Sequence, residues 1–217
     1  MIAAGIRAVV FDLDGTLVDS YGPIAVSLNH ARAHWDLPAL TDRQVRQRVG
    51  HGLEALIAQE IGGDRVAEGV RLFREKYAQI FAADTRALPE TQETLRDLHE
   101  KGYSLAVASN KPARFSRVIL ERLGMLRFVT HVAGPDTAGS TKPEPAMIHS
   151  CLEAMQTSAS ETIYVGDMVL DVESGRRAGL PVLLVTGGSA SPEELQRTGC
   201  PVVDTLARLR EELPPLR

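Results

Sequence analysis

Short apolar runs recur along the chain, separated by longer stretches whose apolar residues fall at helical spacing. The runs are Ala8–Phe11, Leu105–Ala108, Val129–Ala133, Ile163–Val165, Val182–Val185 and Val202–Val203. Each is brief and rich in branched residues, as strands covered on both faces of a parallel sheet are. Helix signals lie between them. Pro112 to Leu123 reads as a helix ending at Gly124, a C′ glycine. Ser191-Pro192-Glu193-Glu194 supplies an N-cap, a proline at the first helical position and a capping glutamate, and Gly199 stops that helix. Strands alternating with helices predict an α/β fold with a doubly wound, Rossmann-like parallel sheet.

Residues 20–84 depart from this alternation. They hold no convincing strand. Thr41-Asp42-Arg43-Gln44 reads as a capping box, and Leu53, Leu56, Ile57 and Ile61 recur at helical spacing. Trp35, Phe73, Tyr77 and Phe81 are expected in the core of this segment. The predicted organisation is a discontinuous α/β core, residues 1–19 and 85–217, interrupted by a helical domain over residues 20–84. The length fits: 217 residues exceed one domain of roughly 150 residues and fall short of two. Neither an internal repeat nor a low-complexity tract interrupts the pattern.

Composition narrows the class. With 44% hydrophobic and 24% charged residues, disordered and collagen-like chains are excluded. No run of 18 apolar residues occurs, so no membrane span is expected. Met1–Arg7 lacks a basic region followed by a long apolar stretch, so no secretory leader is read and the chain is expected in the cytoplasm. Cys151 and Cys200 are then expected as reduced thiols. The net charge of −4 argues against a nucleic-acid partner. Only four of the 24 basic residues are lysines, namely Lys76, Lys101, Lys111 and Lys142.

Chemistry gathers where the runs end. Ala8–Phe11 leads into Asp12-Leu13-Asp14-Gly15-Thr16, and Leu105–Ala108 into Ser109-Asn110. Val129–Ala133 leads through a Gly-containing loop to Lys142-Pro143, and Ile163–Val165 into Gly166-Asp167 and Asp171. Ligands of open α/β sheets bind at the carboxyl ends of the strands, so these groups can converge. Four clustered carboxylates would not all stay ionised without a cation. An all-oxygen donor set that leaves room for water suits Mg²⁺. A lysine and loop N–H groups suit a phosphate. Together they point to phosphoryl transfer, with one carboxylate as nucleophile and a second protonating the leaving oxygen.

In order, spacing and place after strands, Asp12-Leu13-Asp14-Gly15-Thr16, Ser109, Lys142 and Gly166-Asp167 with Asp171 resemble the four motifs of the haloacid dehalogenase superfamily. The resemblance covers essentially the whole chain, and the helical insertion resembles that superfamily's small α-helical cap. Phe11–Ser20 and Val49-Gly50-His51-Gly52-Leu53 look most like the phosphoglycolate phosphatases within it.

The resemblance implies a Mg²⁺-dependent phosphatase acting on a small phosphorylated metabolite, 2-phosphoglycolate foremost. Asp12 is implied as the nucleophile that forms an aspartyl-phosphate, and Asp14 as general acid and then base. Lys142 is implied as the neutralising cation, Ser109, Asn110, Thr16 and Gly15 as phosphate-contacting or supporting groups, and Asp12, Asp14 (through its backbone carbonyl), Asp167 and Asp171 as the metal site. A phosphosugar mutase, a pyrophosphatase or nucleotidase of the same superfamily, and a non-catalytic phosphate- or partner-binding module remain as alternatives. Asp14 speaks against a true dehalogenase. Lys76, the lone lysine of the insertion, has no motif around it that would suit a phosphonate hydrolase.

In the insertion, Arg48 and His51, beside Gly50 and Gly52, are candidate contacts to an anionic substrate tail; Arg43 and Arg46 read equally as a solvated helix face. The expected assembly is a monomer or homodimer. Leu88-Pro89-Glu90 departs from the Pro-Gly usual in relatives, and Glu90 predicts a different turn.

Overall fold

The computed structural model describes residues 5–216. Met1–Ala4, part of the segment from which the absence of a leader is read, and Arg217 lie outside the described residues. Strand β1 (Ala8–Phe11) opens the chain and is followed by the two-residue β2 (Val18–Asp19). Four helices come next: α1 (Tyr21–Ala33), α2 (Asp42–Arg46), α3 (Leu53–Glu60) and α4 (Val66–Asp84). Strand β3 (Arg86–Ala87) then returns antiparallel to β2, pairing Val18 with Ala87 and Asp19 with Arg86. The chain therefore leaves for the helical insertion and comes back from it side by side.

The rest alternates as expected. Helix α5 (Thr91–Glu100) precedes β4 (Ser104–Ala108), and α6 (Ala113–Arg122) precedes β5 (His131–Ala133). Helices α7 (Pro135–Ala138) and α8 (Ala146–Met155) lead to β6 (Thr162–Gly166). Helix α9 (Val169–Arg177), β7 (Val182–Val185), α10 (Pro192–Arg197), β8 (Val202–Val203) and α11 (Ala207–Glu212) complete the fold.

Six strands form one parallel sheet in the order β5-β4-β1-β6-β7-β8. The chain builds from β1 through β4 to β5 on one side, then crosses to β6, β7 and β8 on the other. The order reverses about β1, so the crevice at the carboxyl ends of β1, β4 and β6 is the place for a ligand.

Alternate strand residues serve opposite faces. Val9, Phe11, Leu105, Val107, Ile163 and Val165 join one apolar cluster. Ala8, Val10, Ala106, Ala108 and Tyr164 join another with Met147 and Cys151 of α8. Burial on both faces explains why the strands read as unbroken apolar runs. On the second face, small alanines leave room for the Tyr164 ring.

The local signals are met in detail. Thr41 with Gln44 and Ser191 with Glu194 both close capping boxes, and Gly124 and Gly199 take positive φ just past their helices. Phe73, Tyr77 and Phe81, four residues apart on α4, stack at 5.3 Å between successive rings. Phe115 of α6 meets Tyr77 and Phe81 edge-on at 5.6 and 4.9 Å. Trp35 is only half-buried, packed at the margin of the core. Both cysteines are free, Cys151 buried and Cys200 half-buried.

Two local expectations need correction. The strand expected over Val129–Ala133 begins at His131, because Phe128 and Val129 N–H groups close a turn onto Met125 and Leu126. The loop after it contains α7, begun at Gly134 and ended by Gly139 in the left-handed conformation. At Leu88-Pro89-Glu90 the chain turns with Glu90 in the left-handed conformation, at φ 60°. Among the described residues, no helix is long and apolar enough to cross a membrane.

Candidate active site

Asp12 sits at the carboxyl end of β1, where its N–H still donates to Val165 O at 2.8 Å and so fixes the residue against β6. The turn behind it needs Gly15: at φ 85° a Cβ there would run into the Tyr21 hydroxyl and the Asp167 carboxylate. At the end of β6, Gly166 leaves the space that the Asp171 carboxylate fills. Asp171 stands in the first turn of α9. Its Oδ2 accepts the N–H groups of Asp167 and Met168, both at 3.0 Å, and its Oδ1 accepts the Tyr164 hydroxyl at 3.2 Å. Asp167 is held just as firmly, by Thr16 Oγ1 at 2.9 Å and Ser189 N–H at 2.7 Å.

Asp12, Asp167 and Asp171 each bring a carboxylate oxygen within 4.8 Å of the others, and all three are buried. Lys142, also buried, places Nζ 2.9 Å from Asp12 Oδ1 and 2.8 Å from Asp171 Oδ1. Burial would strip the Lys142 proton, but the two aspartates outweigh it and hold the ammonium charged. One cation does not balance three buried carboxylates. Burial, then repulsion from Asp171 and Asp14, pushes Asp12 up to about 6 against the pull of Lys142. Burial and the other two aspartates push Asp167 well above the usual carboxylate range. The residual negative charge and the all-oxygen donors fit a hard divalent cation.

A cavity of about 370 Å³ opens beside this cluster. Asp12, Asp14, Ser109, Asn110, Lys142 and Asp171 line its polar end, and Leu53, Phe73, Tyr77 and Phe115 its apolar end. The Asp14 carboxylate is not in the three-aspartate group. It hydrogen-bonds Ser20 Oγ and pairs with Lys111 Nζ at 2.7 Å. Ser109 is buried on the cavity wall.

The remaining expected contacts are engaged with the protein or stand off the cavity wall. Gly15 and Thr16 do not line the cavity; Thr16 holds Asp167 from behind, and Gly15 leaves room for its carboxylate. Asn110 has its amide engaged at both ends, donating to Gly50 O and accepting from Lys142 N–H, each at 2.7 Å. Arg48 is turned away: its Nε pairs with Glu60 at 2.8 Å and its Nη1 bonds Gln44 O. His51 is exposed and outside the cavity wall. Arg46, read as an open choice between substrate and solvent, bonds Gly187 O at 2.7 Å and lies over the Tyr21 ring at 4.2 Å.

Sequence reasoning passed over Lys111 and the Gly188-Ser189 pair. Both follow strand ends, Lys111 after β4 and Gly188-Ser189 after β7, so the rule that found the aspartates applies to them as well. Gly188 matters for its missing side chain, since a Cβ there would overlap the Asp167 carboxylate.

Residues 9–185 match the family model of haloacid dehalogenase-like hydrolases. The chain is 33% identical to a phosphoglycolate phosphatase of Vibrio parahaemolyticus, over 97% of each chain. It is 34% identical to one of Aquifex aeolicus, over 84% of this chain and 85% of that one. Among solved structures, a predicted phosphoglycolate phosphatase from Haemophilus somnus superposes with a TM-score of 0.86 at 27% identity, covering 96% of this chain and 98% of its own. A haloacid dehalogenase-like protein from Streptococcus pneumoniae also gives 0.86, at 23% identity, over 95% of this chain and 98% of its own, a likeness of fold.

Proposed function

The chain belongs to the haloacid dehalogenase-like hydrolase family, and from that premise we propose that it is a Mg²⁺-dependent phosphatase that hydrolyses 2-phosphoglycolate through an aspartyl-phosphate. Residues 20–84 act as a cap over the α/β core of residues 1–19 and 85–217. The observation that carries the reading is the buried triangle of Asp12, Asp167 and Asp171 with Lys142 between two of its corners, opening onto the cavity that Asp14 also lines.

The Asp12 and Asp167 carboxylates and the Asp14 carbonyl would hold Mg²⁺, with Asp171 in support. When bound, the ion offsets carboxylate charge and polarises the phosphoryl oxygens. Asp12 forms the new bond to phosphorus while the ester oxygen departs with the bonding pair, and Asp14 delivers a proton to that oxygen. Water then attacks the aspartyl-phosphate, Asp14 takes its proton, and phosphate leaves with Asp12 restored. Lys142 favours the charged form of Asp12 against its burial and, with Ser109, receives the phosphoryl oxygens. Asp171 fixes the Lys142 ammonium, and Thr16 and Ser189 fix Asp167.

Phosphate release from 2-phosphoglycolate, with and without Mg²⁺, tests the reading. Asp12→Asn is expected to abolish turnover in a folded protein, whereas near-normal hydrolysis by that variant removes the nucleophile assignment. Isomer in place of phosphate from a hexose 1-phosphate would redirect the reading to a mutase.

A further inference from the structure

Two buried polar groups in the cavity wall take no part in the mechanism above. Lys111, 8% exposed, leaves β4 directly after Ser109-Asn110 and gives one of its three ammonium donors to Asp14 Oδ2 at 2.7 Å. Tyr77, 4% exposed, reaches the same place from α4, and Lys111 Nζ stands 5.4 Å from its ring centre. Ammonium and phenol are near enough to act on each other's ionisation. Even so, the Tyr77 hydroxyl completes no well-formed hydrogen bond with any described residue. Towards the Lys111 ammonium the phenol can only accept, so its own O–H is left without an acceptor and the site calls for one. The other cations of the wall are engaged or turned out. Lys142 belongs to Asp12 and Asp171, Arg74 pairs with Glu54 at 3.1 Å, and exposed Arg114 lies over the Phe115 ring.

We propose that Lys111 Nζ and Tyr77 Oη form an anion subsite for a carboxylate on the leaving group, so that the enzyme selects phosphomonoesters of short hydroxy acids. The inference rests on the phosphatase reading and adds the residues that choose its leaving group. A carboxylate bound there accepts from the free ammonium donors and from the phenol. Lys111 then stands between that carboxylate and Asp14, which sets the ester oxygen beside the group that protonates it. A neutral ester leaves the phenol O–H and the remaining ammonium donors without an acceptor, and a site built to hydrogen-bond a substrate group rejects an analogue that lacks it.

The test compares kcat/KM for 2-phosphoglycolate and for 2-hydroxyethyl phosphate, its neutral analogue, by phosphate release with Mg²⁺ in wild type, Lys111→Met and Tyr77→Phe. Wild type is expected to prefer the carboxylate ester roughly 10- to 100-fold. Lys111→Met is expected to bring the two esters within about threefold of each other, and Tyr77→Phe to cut the preference roughly 3- to 10-fold through KM. A purely structural role lowers both rates together and leaves their ratio alone. The subsite is overturned if the ratio stays within about twofold of wild type in Lys111→Met, or in Tyr77→Phe should circular dichroism show Lys111→Met unfolded. Wild type that hydrolyses both esters without preference overturns the subsite and leaves the phosphatase reading standing. Release from neither ester overturns the phosphatase reading itself.

Discussion

Asn110 and Lys142 are joined back to back: Asn110 Oδ1 accepts the Lys142 N–H at 2.7 Å while Asn110 Nδ2 donates to Gly50 O at the same distance. One amide thus connects the loop that carries the ammonium to the helical insertion. These bonds suit it to position Lys142. Asn110→Ala removes both bonds and is expected to lower kcat/KM for 2-phosphoglycolate roughly 10- to 100-fold. Asn110→Asp retains the acceptor but sets a carboxylate against the Gly50 carbonyl, so it is expected to rescue little. Steady-state kinetics of the two variants decide the point, and wild-type values in both would remove the connection.

The raised Asp12 pKa makes a stability prediction for the metal-free protein. A carboxyl that ordinarily titrates at 3.8 and is pushed up to about 6 by burial prefers its protonated form in the fold. Its ionisation therefore destabilises the fold above about pH 6. The penalty shrinks as the pH falls through 6 and is gone below the unfolded value. Asp12→Asn removes it, so the variant is expected to be more stable than wild type at pH 7.5 by about 2–3 kcal/mol, with the difference closing towards pH 4. Thermal melts in a chelator across that range read it. A stabilisation that did not depend on pH would point to a cause other than ionisation.

What the sequence disclosed follows from what each signal depends on. The apolar runs betrayed the sheet because its strands are covered on both faces, and the aspartates after β1 and β6 stood out because strand ends gather ligands. Lys142 was conspicuous among four lysines. Lys111, equally rare and next to Ser109-Asn110, was not singled out, because its burial comes from Tyr77 on a distant helix of the insertion. Arg48 misled for a related reason. Arg48 lies in the turn between α2 and α3, and its partner Glu60 stands at the far end of α3, a tertiary contact that local spacing does not carry. Asn110 reads as a phosphate contact until the Gly50 carbonyl is brought to it by the tertiary fold.

Gly188 supplies a test of the acidic cluster that leaves every carboxylate in place. A Cβ at this position would overlap the Asp167 carboxylate, which Thr16 and Ser189 hold from two sides. Gly188→Ala is expected to turn Asp167 out of place and weaken Mg²⁺ binding roughly 10- to 100-fold, as losing the supports of a metal ligand does. The clash reaches the Asp167 Cβ as well as its carboxylate, and the residue is fully buried, so the melting temperature in chelator is expected to fall as well. Titration calorimetry with Mg²⁺ measures the affinity. Unaltered affinity would take Asp167 out of the metal site.

Glu90 offers a gain in stability away from the chemistry. It precedes α5 with φ at 60° and ψ near zero, in the left-handed region that crowds any side chain bearing a Cβ. Glycine adopts this conformation without that clash, although it gives up more backbone entropy on folding. The Glu90 side chain returns little: its nearest charged partner, Arg210, stands 3.7 Å away with both groups partly in water, a pairing worth about 0–1 kcal/mol. The helix keeps its first bond, because Thr94 N–H donates to the backbone carbonyl of residue 90 at 2.9 Å. Glu90→Gly is therefore expected to stabilise the protein by roughly 0.5–1 kcal/mol. For a chain of this size that raises Tm by about 1–4 °C, with kcat and KM unchanged. A melt that stayed level or fell would mean that the Arg210 contact outweighs the backbone strain.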